Sequence, residues 1–448
     1  MTAHPIAAVV LAAGKGTRMK SSLPKVMHPL AGRPMILHLL QTLDDEAISP
    51  VIVVAGPEMD HLESILGSQK VVVQKERKGT GHAVDQTRDQ LCNYKGDILV
   101  CYGDTPLISS KTFSRMREVM SKSSKTKLVV LGFKPDDPAE YGRLIVSEGG
   151  LESIVEFKDA SENQLAHRYC NAGALLADAS VLFEALSEIE PNNSASEYYL
   201  TDVVKHVRRQ GHVCEIVSAD ENEVIGINSR HELAKAETIL QNTYRAKAMA
   251  NGATLLDPST VYFSFDTVLG SDVEVGPFTV FGPGVTVGRN VNIKGFCHIE
   301  GTNISDNASV GPFARLRAGT DIGYQARVGN FVEIKNSALD EDSKANHLSY
   351  IGDTTVGRRA NIGAGTITAN YDGFSKSHTD IGDDVSIGSN SVLVAPVSLG
   401  DGAITGAGSV IRKDVPADAL ALSRAPQKTI KGRAVTYRKA RGAETKKS

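Results

Sequence analysis

The feature of this sequence that most restricts its fold is a repeat of six residues in its second half. Aliphatic residues recur at this interval, with a one-residue slip before Ile304, and most of them are followed by glycine. The repeating positions are Leu269, Val275, Val287, Ile293, Ile299, Ile304, Val310, Leu316, Ile322, Val328, Ile334, Val356, Ile362, Ile381, Ile387, Leu393 and Leu399. A period of six fits neither an α-helix nor an alternating strand, and it is typical of a parallel β-helix. We expect the aliphatic side chains to point inward and the glycines to permit the tight corners.

Two intervals in this half break the period. The step from Ile334 to Val356 is 22 residues and the step from Thr368 to Ile381 is 13, and neither is a multiple of six. Insertions in solenoid proteins form loops on one face, which is often the binding face. We therefore expect inserted loops at 336–350, which carries His347, and at 370–379, which carries Tyr371 and Asp372.

The first half follows a different pattern, in which short apolar runs alternate with stretches of helical period. The runs Ala7–Leu11, Val51–Val54, Ile98–Cys101 and Lys127–Leu131 predict strands, and Met35–Leu43 predicts a helix. This alternation favours a Rossmann-like α/β domain around a mostly parallel sheet. Ser229 with Glu232 three residues later predicts the start of a helical linker that Gly252 ends. The predicted domains are thus 1–228, a linker at 229–252, and a β-helix at 253–448.

Composition and charge exclude several classes of protein. The 49 Lys and Arg residues nearly balance the 52 Asp and Glu residues, so the formal net charge of −3 argues against a general nucleic-acid binder. A transmembrane helix needs about 18 apolar residues in succession, and no stretch approaches that length. The apolar run Ile6–Ala13 has no preceding positive cluster and no plausible cleavage site after it. We therefore predict a cytoplasmic protein without a membrane span.

A glycine-rich turn follows the first predicted strand, and its composition suits a phosphate group. Residues Leu11–Met19 read LAAGKGTRM, and Pro24-Lys25 follows shortly afterwards. Backbone N–H groups in such a turn can converge on phosphate oxygens, and Lys15, Arg18 and Lys25 supply positive charge. The dinucleotide fingerprint and the GxxxxGK[ST] motif are both missing. Taken alone, such a turn is also common as a purely structural element.

The full set of motifs covers essentially the whole chain and is far more specific. The set comprises Leu11–Met19 with Pro24-Lys25, Gln74 ahead of Gly79–Ala83, Tyr102–Asp104, Tyr141–Arg143, Ile154–Asp159, Gly363–Thr366 and Asn370–Gly373. With the helical linker and the hexads, it resembles the bacterial bifunctional N-acetylglucosamine-1-phosphate uridyltransferase and glucosamine-1-phosphate N-acetyltransferase family. The resemblance implies a left-handed β-helix, a homotrimer and two reactions. These are N-acetylation of glucosamine 1-phosphate by acetyl-CoA, and uridylyl transfer from UTP to N-acetylglucosamine 1-phosphate.

The resemblance implies a uridylyl site built by the first half of the chain. Its nucleotide-binding residues are Leu11, Ala12, Ala13, Gly14, Lys25, Gln74, Gly79, Thr80, Tyr102 and Gly103, with Lys25 on the phosphates. Gly142, Glu156 and Asn171 would hold the acetylated sugar, and Asp104 with Asn228 would hold Mg²⁺. Oxygen ligands suit Mg²⁺, which keeps several waters of its own. From the residues alone, Asp104 could also be a turn former, and Asn228 could be a helix cap.

The resemblance also implies an acetyl-transfer site in the β-helix. An amino sugar must lose a proton before its nitrogen attacks a thioester, and an imidazole with an ordinary pKa near about 6.5 can accept that proton. His347 is therefore the predicted general base, although a lone loop histidine is more often an ordinary surface residue. The residues implied for glucosamine 1-phosphate are Arg317, Lys335, Tyr350 and Asn361. Those implied for acetyl-CoA are Ala364, Asn370, Tyr371, Ser389, Ala407 and Arg424.

Two observations support these acetyl-site residues independently of the resemblance. Arg317 and Lys335 each follow an inward aliphatic residue, in the slot where this repeat usually has glycine. From Arg424 onward the chain has nine Lys or Arg residues and one acid, Glu444. Such a tail is either an unstructured solvated end or an arm that binds anions. In a solenoid trimer the cleft would lie between neighbouring subunits, so we expect the acetyl site to be shared between them.

Three functions fit the sequence, and each depends on different residues. The first is the two-reaction enzyme. The second is a nucleotidyltransferase whose β-helix only oligomerises or regulates, for which His347, Arg317 and Lys335 would have no purpose. The third is a non-enzymatic trimeric scaffold that kept a nucleotide pocket, and Lys25, Asp104 and the glycine-rich turn argue against it. The first accounts for all of these residues.

Overall fold

The computed structural model describes residues 4–57, 59–67 and 69–444. The chain divides into two compact units, Met1–Tyr244 and Arg245–Ser448. The predicted boundaries at 228 and 252 stay predictions. No helix in the described part of the chain is both long and apolar enough to span a bilayer.

The first unit is built on one sheet, and the predicted mostly parallel α/β arrangement is confirmed. Its strands are β1 (Ile6–Leu11), β4 (Val51–Ala55), β5 (Lys70–Val73), β6 (Asp97–Tyr102), β7 (Thr126–Phe133), β8 (Arg143–Ser147), β9 (Gly150–Val155), β10 (Cys170–Asp178) and β11 (Val213–Ser218), with a separate pair β2 (Pro29–Leu30) and β3 (Arg33–Pro34). The main order is β11-β7-β10-β6-β1-β4-β5, and only β10 on this path runs antiparallel to its neighbours. β8 and β9 form a hairpin attached to β10.

Helices cover both faces of this sheet. They are α1 (Met35–Asp45), α2 (Asp60–Ile65), α3 (Thr80–Asp85), α4 (Arg88–Leu91), α5 (Ser110–Ser121), α6 (Glu162–Leu165), α7 (Ala179–Glu188), α8 (Val203–Arg209) and, from the end of this unit into the next, α9 (Arg230–Ala250). All six residues of β1 are buried, as expected for a parallel strand covered on both faces. The carboxyl ends of β1 and β6 lie side by side, and in open α/β sheets this edge is where ligands bind.

Helix α9 lies where the sequence predicted a helical segment. Ser229 caps its start, because the Glu232 N–H donates to Ser229 Oγ at 3.3 Å. The Glu232 carboxylate reaches one residue further back than a capping box requires and accepts from the Asn228 N–H at 2.8 Å. The helix ends before Gly252, whose φ of 96° is the left-handed conformation that glycine allows.

The second unit is the predicted parallel β-helix, with three faces that each coil visits in turn. Face 1 consists of β12 (Thr254–Leu255), β14 (Glu274–Val275), β17 (Asn292–Ile293), β20 (Ser309–Val310), β23 (Arg327–Asn330), β26 (Lys344–His347), β29 (Asn361–Ile362), β32 (Ser386–Ile387), β35 (Ile404–Thr405) and β37 (Leu420–Ala421). Face 2 consists of β15 (Val280–Phe281), β18 (His298–Ile299), β21 (Arg315–Leu316), β24 (Glu333–Lys335), β27 (Tyr350–Gly352), β30 (Ile367–Ala369), β33 (Val392–Val394) and β36 (Val410–Ile411). Face 3 consists of β13 (Val268–Leu269), β16 (Thr286–Val287), β19 (Thr302–Ile304), β22 (Thr320–Ile322), β25 (Ala338–Leu339), β28 (Thr354–Val356), β31 (Thr379–Ile381) and β34 (Val397–Leu399). The basic tail carries α10 (Arg433–Glu444), while Lys446 and Lys447 lie outside the described residues.

The glycines of the repeat have a different role from the one predicted. Except for Gly311, whose φ is 92°, the glycines directly after an inward residue do not adopt left-handed φ; that conformation occurs further along, for example at Asp272 and Phe278. A Cβ on Gly270 would instead lie 2.7 Å from the backbone of Gly288 in the next coil. These glycines are therefore required because successive coils approach closely, and a side chain would hold them apart.

The first predicted insertion was wrong. The coil continues through 336–350, with Leu339, Ala345 and Ile351 as its buried inward residues. The steps Ile334 to Leu339 and Ile351 to Val356 are each five residues, so two shortened corners, and no loop, account for the broken period. The second insertion is confirmed, because 370–378 leaves the coil between β30 and β31.

Four phenylalanines form an exposed stack along the corner between faces 1 and 2. Phe278, Phe296, Phe313 and Phe331 have successive ring centroids 4.9, 4.9 and 5.1 Å apart. Each is about half exposed, and Leu348 occupies the same corner one coil further on. We call these five residues the corner stripe. An apolar surface of this kind marks an interaction site more often than ordinary surface does.

Candidate active sites

The glycine-rich turn after β1 brings Lys25 under the carboxyl edge of the sheet. Gly16 has φ 61°, and a Cβ on it would lie 2.7 Å from Lys25 Cβ. The turn therefore packs directly on the Lys25 stem. Nearby, the Gly103 N–H donates to the Leu11 carbonyl at 2.9 Å, which ties the turn after β6 to the end of β1.

Lys25, Asp104 and Asn228 meet at this edge although they are far apart in sequence. The Lys25 ammonium donates to Asn228 Oδ1 at 2.9 Å and contacts Asp104 Oδ2. The Ile227 N–H donates to the Asp104 carbonyl at 2.9 Å, which fixes the second loop beside the first. The Asn228 side chain faces Lys25, and Ser229 caps α9, so Asn228 is not the helix cap. Two oxygens that converge on one cation match the donor set that Mg²⁺ prefers.

A cleft of about 450 Å³ adjoins this cluster and is lined by Thr80, Tyr102, Asp104, Gly142, Glu156, Asn171 and Gly173 among others. The three predicted sugar residues lie together in it. The Asn171 N–H donates to the Gly142 carbonyl at 2.9 Å, and a Cβ on Gly142 would lie 3.4 Å from Glu156 Oε2. Glycine at 142 therefore leaves the Glu156 carboxylate accessible.

Glu156 is an acid in an unfavourable environment for its charge. Burial raises its pKa above the ordinary 4.5, and the Thr201 hydroxyl, which donates to Oε1 at 3.0 Å, opposes this only in part. Burial also raises the pKa of the nearby Tyr102 phenol. Carboxylates held in this way in a cleft are typical of ligand-binding sites.

Replacing Glu156 by Gln is expected to raise KM for the acetylated sugar phosphate about 10- to 100-fold, since a hydrogen bond to a charged group is worth about 1.5–3 kcal/mol. The same change should stabilise the fold at neutral pH. A raised folded pKa gives stability that is complete below about 4.5 and is lost as pH rises through the folded pKa. Steady-state kinetics and urea unfolding measure both effects.

Glu152 provides the matched control for this prediction. It lies on the adjoining strand β9, but Arg208 lowers its pKa. The Glu152→Gln variant should therefore leave KM unchanged and should not gain stability. An unchanged KM in the Glu156→Gln variant would remove Glu156 from the sugar site.

Three of the predicted nucleotide-binding residues, Gln74, Gly79 and Thr80, are also neighbours. Gln74 follows β5 and is buried, and its Nε2 donates to the Gly79 carbonyl at 3.1 Å. Gly79 has φ 110°, and a Cβ there would lie 2.5 Å from the Tyr198 carbonyl oxygen. The Thr80 hydroxyl accepts from the Leu200 N–H at 3.0 Å. The structure thus places Gln74, Gly79 and Thr80 around one turn at the start of α3.

In the second unit, His347 is the exposed last residue of β26, at the corner between faces 1 and 2. It lies on a regular coil and not on the predicted insertion. Asn330 lies one coil earlier in register with it, and Asn330 Oδ1 is 2.8 Å from His347 Nδ1. An amide oxygen accepts, so it favours the tautomer with the proton on Nδ1 and leaves Nε2 free as a base.

Four of the predicted acetyl-CoA residues continue this corner as a column. Backbone hydrogen bonds join each coil to the next: Gly365 donates to His347, Asn390 to Ala364, and Gly408 to Ser389. The Arg424 guanidinium then donates to the Ala407 carbonyl at 2.9 Å. We call the series Asn330, His347, Ala364, Ser389, Ala407 and Arg424 the corner column. Strands lie about 4.8 Å apart, so His347 and Arg424 are about 19 Å apart along it.

The predicted sugar-phosphate cations lie at the other edge of face 2. Arg317 follows β21 and pairs with Glu333 at 3.1 Å, and Lys335 ends β24 next to Lys376 of the 370–378 loop. The Lys335 ammonium lowers the pKa of Lys376. A shared anion between the two amines would relieve this repulsion.

The remaining predicted acetyl-site residues are divided between faces. Tyr350 begins a strand of face 2, whereas Asn361 lies exposed on face 1. Asn370 is anchored by a hydrogen bond from its Nδ2 to Asp353, and Tyr371 is 60% exposed in the loop. Among the described residues, no hydrogen bond or ion pair joins Asn361 or the corner column to Arg317 or Lys335.

Sequence reasoning missed several side chains that hold these sites. Asn330 contacts His347, and Glu333 pairs with Arg317. Lys376 lies beside Lys335, and Thr201 donates to Glu156. Coil length is the signal that could have found two of them. Asn330 precedes His347 by 17 residues, and Glu333 precedes Tyr350 by 17, which is one turn of the β-helix.

Comparison with known proteins agrees with both folds. The MobA-like NTP transferase domain family matches residues 8–169, and the bacterial transferase hexapeptide (six repeats) family matches 266–301 and 378–413. Bifunctional protein GlmU of Paramagnetospirillum magneticum is 51% identical over 447 residues, which covers 100% of both chains. Bifunctional protein GlmU of Rhodospirillum rubrum is 55% identical over 432 residues, which covers 96% of this chain and 97% of that protein. This chain belongs to the GlmU family.

Membership in the GlmU family confirms the predicted bifunctional enzyme. The chain combines a nucleotidyltransferase and a hexapeptide acyltransferase in one polypeptide, and acts in uridylyl and acetyl transfer. A GlmU protein is neither a single-activity nucleotidyltransferase nor a non-enzymatic scaffold.

Proposed function

We propose that the β-helix acetylates glucosamine 1-phosphate with acetyl-CoA, and that the first unit then transfers a uridylyl group from UTP with Mg²⁺. The observation that carries this proposal is the His347–Asn330 pair within the corner column. A β-helix that served only as a spacer would not need an oriented imidazole in line with a basic tail. The cytoplasmic location stays a prediction from the sequence.

In uridylyl transfer the residues position groups and neutralise charge. The phosphate oxygen of N-acetylglucosamine 1-phosphate attacks the α-phosphorus of UTP, and pyrophosphate leaves. Glu156, Asn171 and the Gly142 backbone hold the sugar, and Lys25 neutralises phosphate charge. Asp104 and Asn228 would hold Mg²⁺, which supplies further positive charge to the phosphates. No covalent nucleophile is required.

In acetyl transfer His347 accepts a proton through Nε2 from the amine of glucosamine 1-phosphate. The freed nitrogen lone pair attacks the thioester carbonyl, and the C–S bond breaks. The nitrogen loses a second proton as the amide forms, and this proton leaves on the sulfur as CoA thiol. Arg317, Lys335 and Lys376 bind the sugar phosphate. The CoA chain runs along the corner column, and Arg424 meets its phosphates.

A coupled assay tests the whole proposal. The protein is supplied with glucosamine 1-phosphate, acetyl-CoA, UTP and Mg²⁺, and free thiol and pyrophosphate are followed separately. We expect both products, with pyrophosphate dependent on prior acetylation. Thiol release without pyrophosphate, or the reverse, would contradict the assigned pair of substrates.

We propose that the protein is a homotrimer and that the corner stripe lies at its interface. The stripe shares its corner with His347, so an interface there would place the imidazole beside a neighbouring chain. A neighbour could then supply the sugar-phosphate residues that a single chain keeps apart from His347. This accounts for the separation of Asn361 from Arg317 and Lys335.

The double variant Phe296→Asn, Phe313→Asn is expected to lose the trimer. Asparagine tolerates the left-handed φ of both positions, as Asn290 and Asn307 show, so the coils should persist. Sedimentation should show single chains. Their acetyl transfer should be at least about tenfold slower, in the range that lost positioning costs, and their uridylyl transfer should be normal. The Val268→Asn change on face 3 is the control. A trimer of unchanged stability would exclude the stripe from the interface.

A further inference from the structure

The orientation of the Gln74 amide is fixed from inside the protein. Gln74 is 3% exposed, and its Nε2 donates to the Gly79 carbonyl at 3.1 Å and lies 3.0 Å from His82 Nδ1. Both N–H bonds of the amide are therefore used. Among the described residues, none donates a hydrogen bond to Gln74 Oε1.

Two acceptors settle which end of the amide faces inward. A carbonyl can only accept, so Gly79 requires the Gln74 nitrogen on its side. His82 Nδ1 lies against the same nitrogen and accepts its second N–H. The neutral His82 ring then carries its proton on Nε2.

Gln86 makes a competing contact with the same ring. Its Nε2 lies 3.3 Å from both His82 Nε2 and the His82 carbonyl oxygen, which would favour the opposite tautomer. The Gln86 side chain is half-buried at the end of α3 and can turn towards water. The Gln74 amide is buried, so an N–H left without a partner there is the more costly outcome. Gln74 therefore determines the tautomer.

The consequence is that Gln74 presents an acceptor and no donor to the nucleotide. Uracil carries an N–H at N3, whereas cytosine carries a bare nitrogen acceptor at that position. An oxygen fixed towards N3 would accept the uracil N–H and repel the cytosine nitrogen. A site built to bind a hydrogen-bond donor rejects a base that lacks that donor. Thymine also carries N3–H, so this contact cannot separate uracil from 5-methyluracil.

We propose that His82 is a positioning residue that sets base selectivity, by holding the Gln74 amide with its oxygen towards the base. The proposal rests on the uridylyl function proposed above. His82 itself does not touch the nucleotide. Loss of His82 should therefore change the ratio of kcat/KM between nucleotides with different bases, and not lower kcat/KM equally for all of them.

The test measures kcat/KM of the full-length enzyme for UTP, CTP and 5-methyl-UTP with N-acetylglucosamine 1-phosphate. His82→Ala should lower the UTP to CTP ratio about tenfold, the effect of one lost orienting hydrogen bond. The UTP to 5-methyl-UTP ratio should stay unchanged. His82→Asn should keep both ratios, because Asn Oδ1 can accept in place of Nδ1. Turnover of UTP itself reports on the integrity of the first unit in each variant.

An unchanged UTP to CTP ratio in an active His82→Ala enzyme would overturn the proposal. Nitrogen NMR of the wild-type imidazole gives a second measurement that needs no variant. We expect a proton on Nε2 and none on Nδ1, and a proton on Nδ1 would also overturn it. A wild-type enzyme that transfers no uridylyl group would instead overturn the proposed function itself.

Discussion

Replacing Asp104 by Asn is expected to lower uridylyl transfer by about a hundredfold to a thousandfold, the range found when a charge-stabilising group is lost. The change removes the one carboxylate of the cluster formed with Lys25 and Asn228, and with it the charge that would hold Mg²⁺. Acetyl transfer should be unaffected, since the β-helix carries its own site. Pyrophosphate and thiol release, measured separately on the same preparation, give the two rates.

Asp97 is the matched control for this change. It lies at the start of the same strand β6 and is buried, and burial raises its pKa. The Asp97→Asn variant should keep both activities because its environment already disfavours the charge. Normal pyrophosphate release by the Asp104→Asn enzyme would show that Asp104 is only a turn former.

The second large effect is expected at His347. His347→Ala should lower acetyl transfer by about 10²- to 10⁴-fold, the usual contribution of a general base. Uridylyl transfer from supplied N-acetylglucosamine 1-phosphate should continue at the wild-type rate. Thiol release and pyrophosphate release from the same enzyme batch measure the two rates.

Two further variants separate chemistry from structure at this corner. Asn330→Ala should cost about tenfold, because the imidazole keeps its place but loses the partner that orients it. His298→Ala removes an exposed histidine of face 2 and should change nothing. If His347→Ala were as active as His298→Ala, the general base would have to be another group.

The sequence predicted the architecture well because the architecture depends on local periodicity. Inward aliphatic residues every six positions specify a coil whatever lies on its surface. The prediction failed where the step shortened to five, at Leu339 and Val356, because a fixed count interprets a shortened corner as an insertion. The prediction also placed the glycines at corners, because a local pattern does not show contacts between coils that lie 17 or 18 residues apart in sequence.

The candidate sites were predictable as residue types but not as contacts. The motifs contained Lys25 and Asp104, and the family resemblance added Asn228, yet only the folded chain shows the ammonium between the two oxygens. The orientation of a side chain was even harder to predict from the sequence. The direction of the Gln74 amide, for example, depends on Gly79 and His82 together. The division of the acetyl residues between two edges of face 2 was equally hidden, since the sequence carries no signal for which edge a side chain occupies.

The corner column limits where this protein can gain or lose a coil of the β-helix. Gain or loss of a whole coil would preserve the inward stack and leave a foldable protein. A coil gained or lost between His347 and Arg424, however, would move one end of the corner column relative to the other by about 4.8 Å. A deletion there should therefore give a folded enzyme that is defective in one reaction, whereas the same deletion before Phe278 should be tolerated by both.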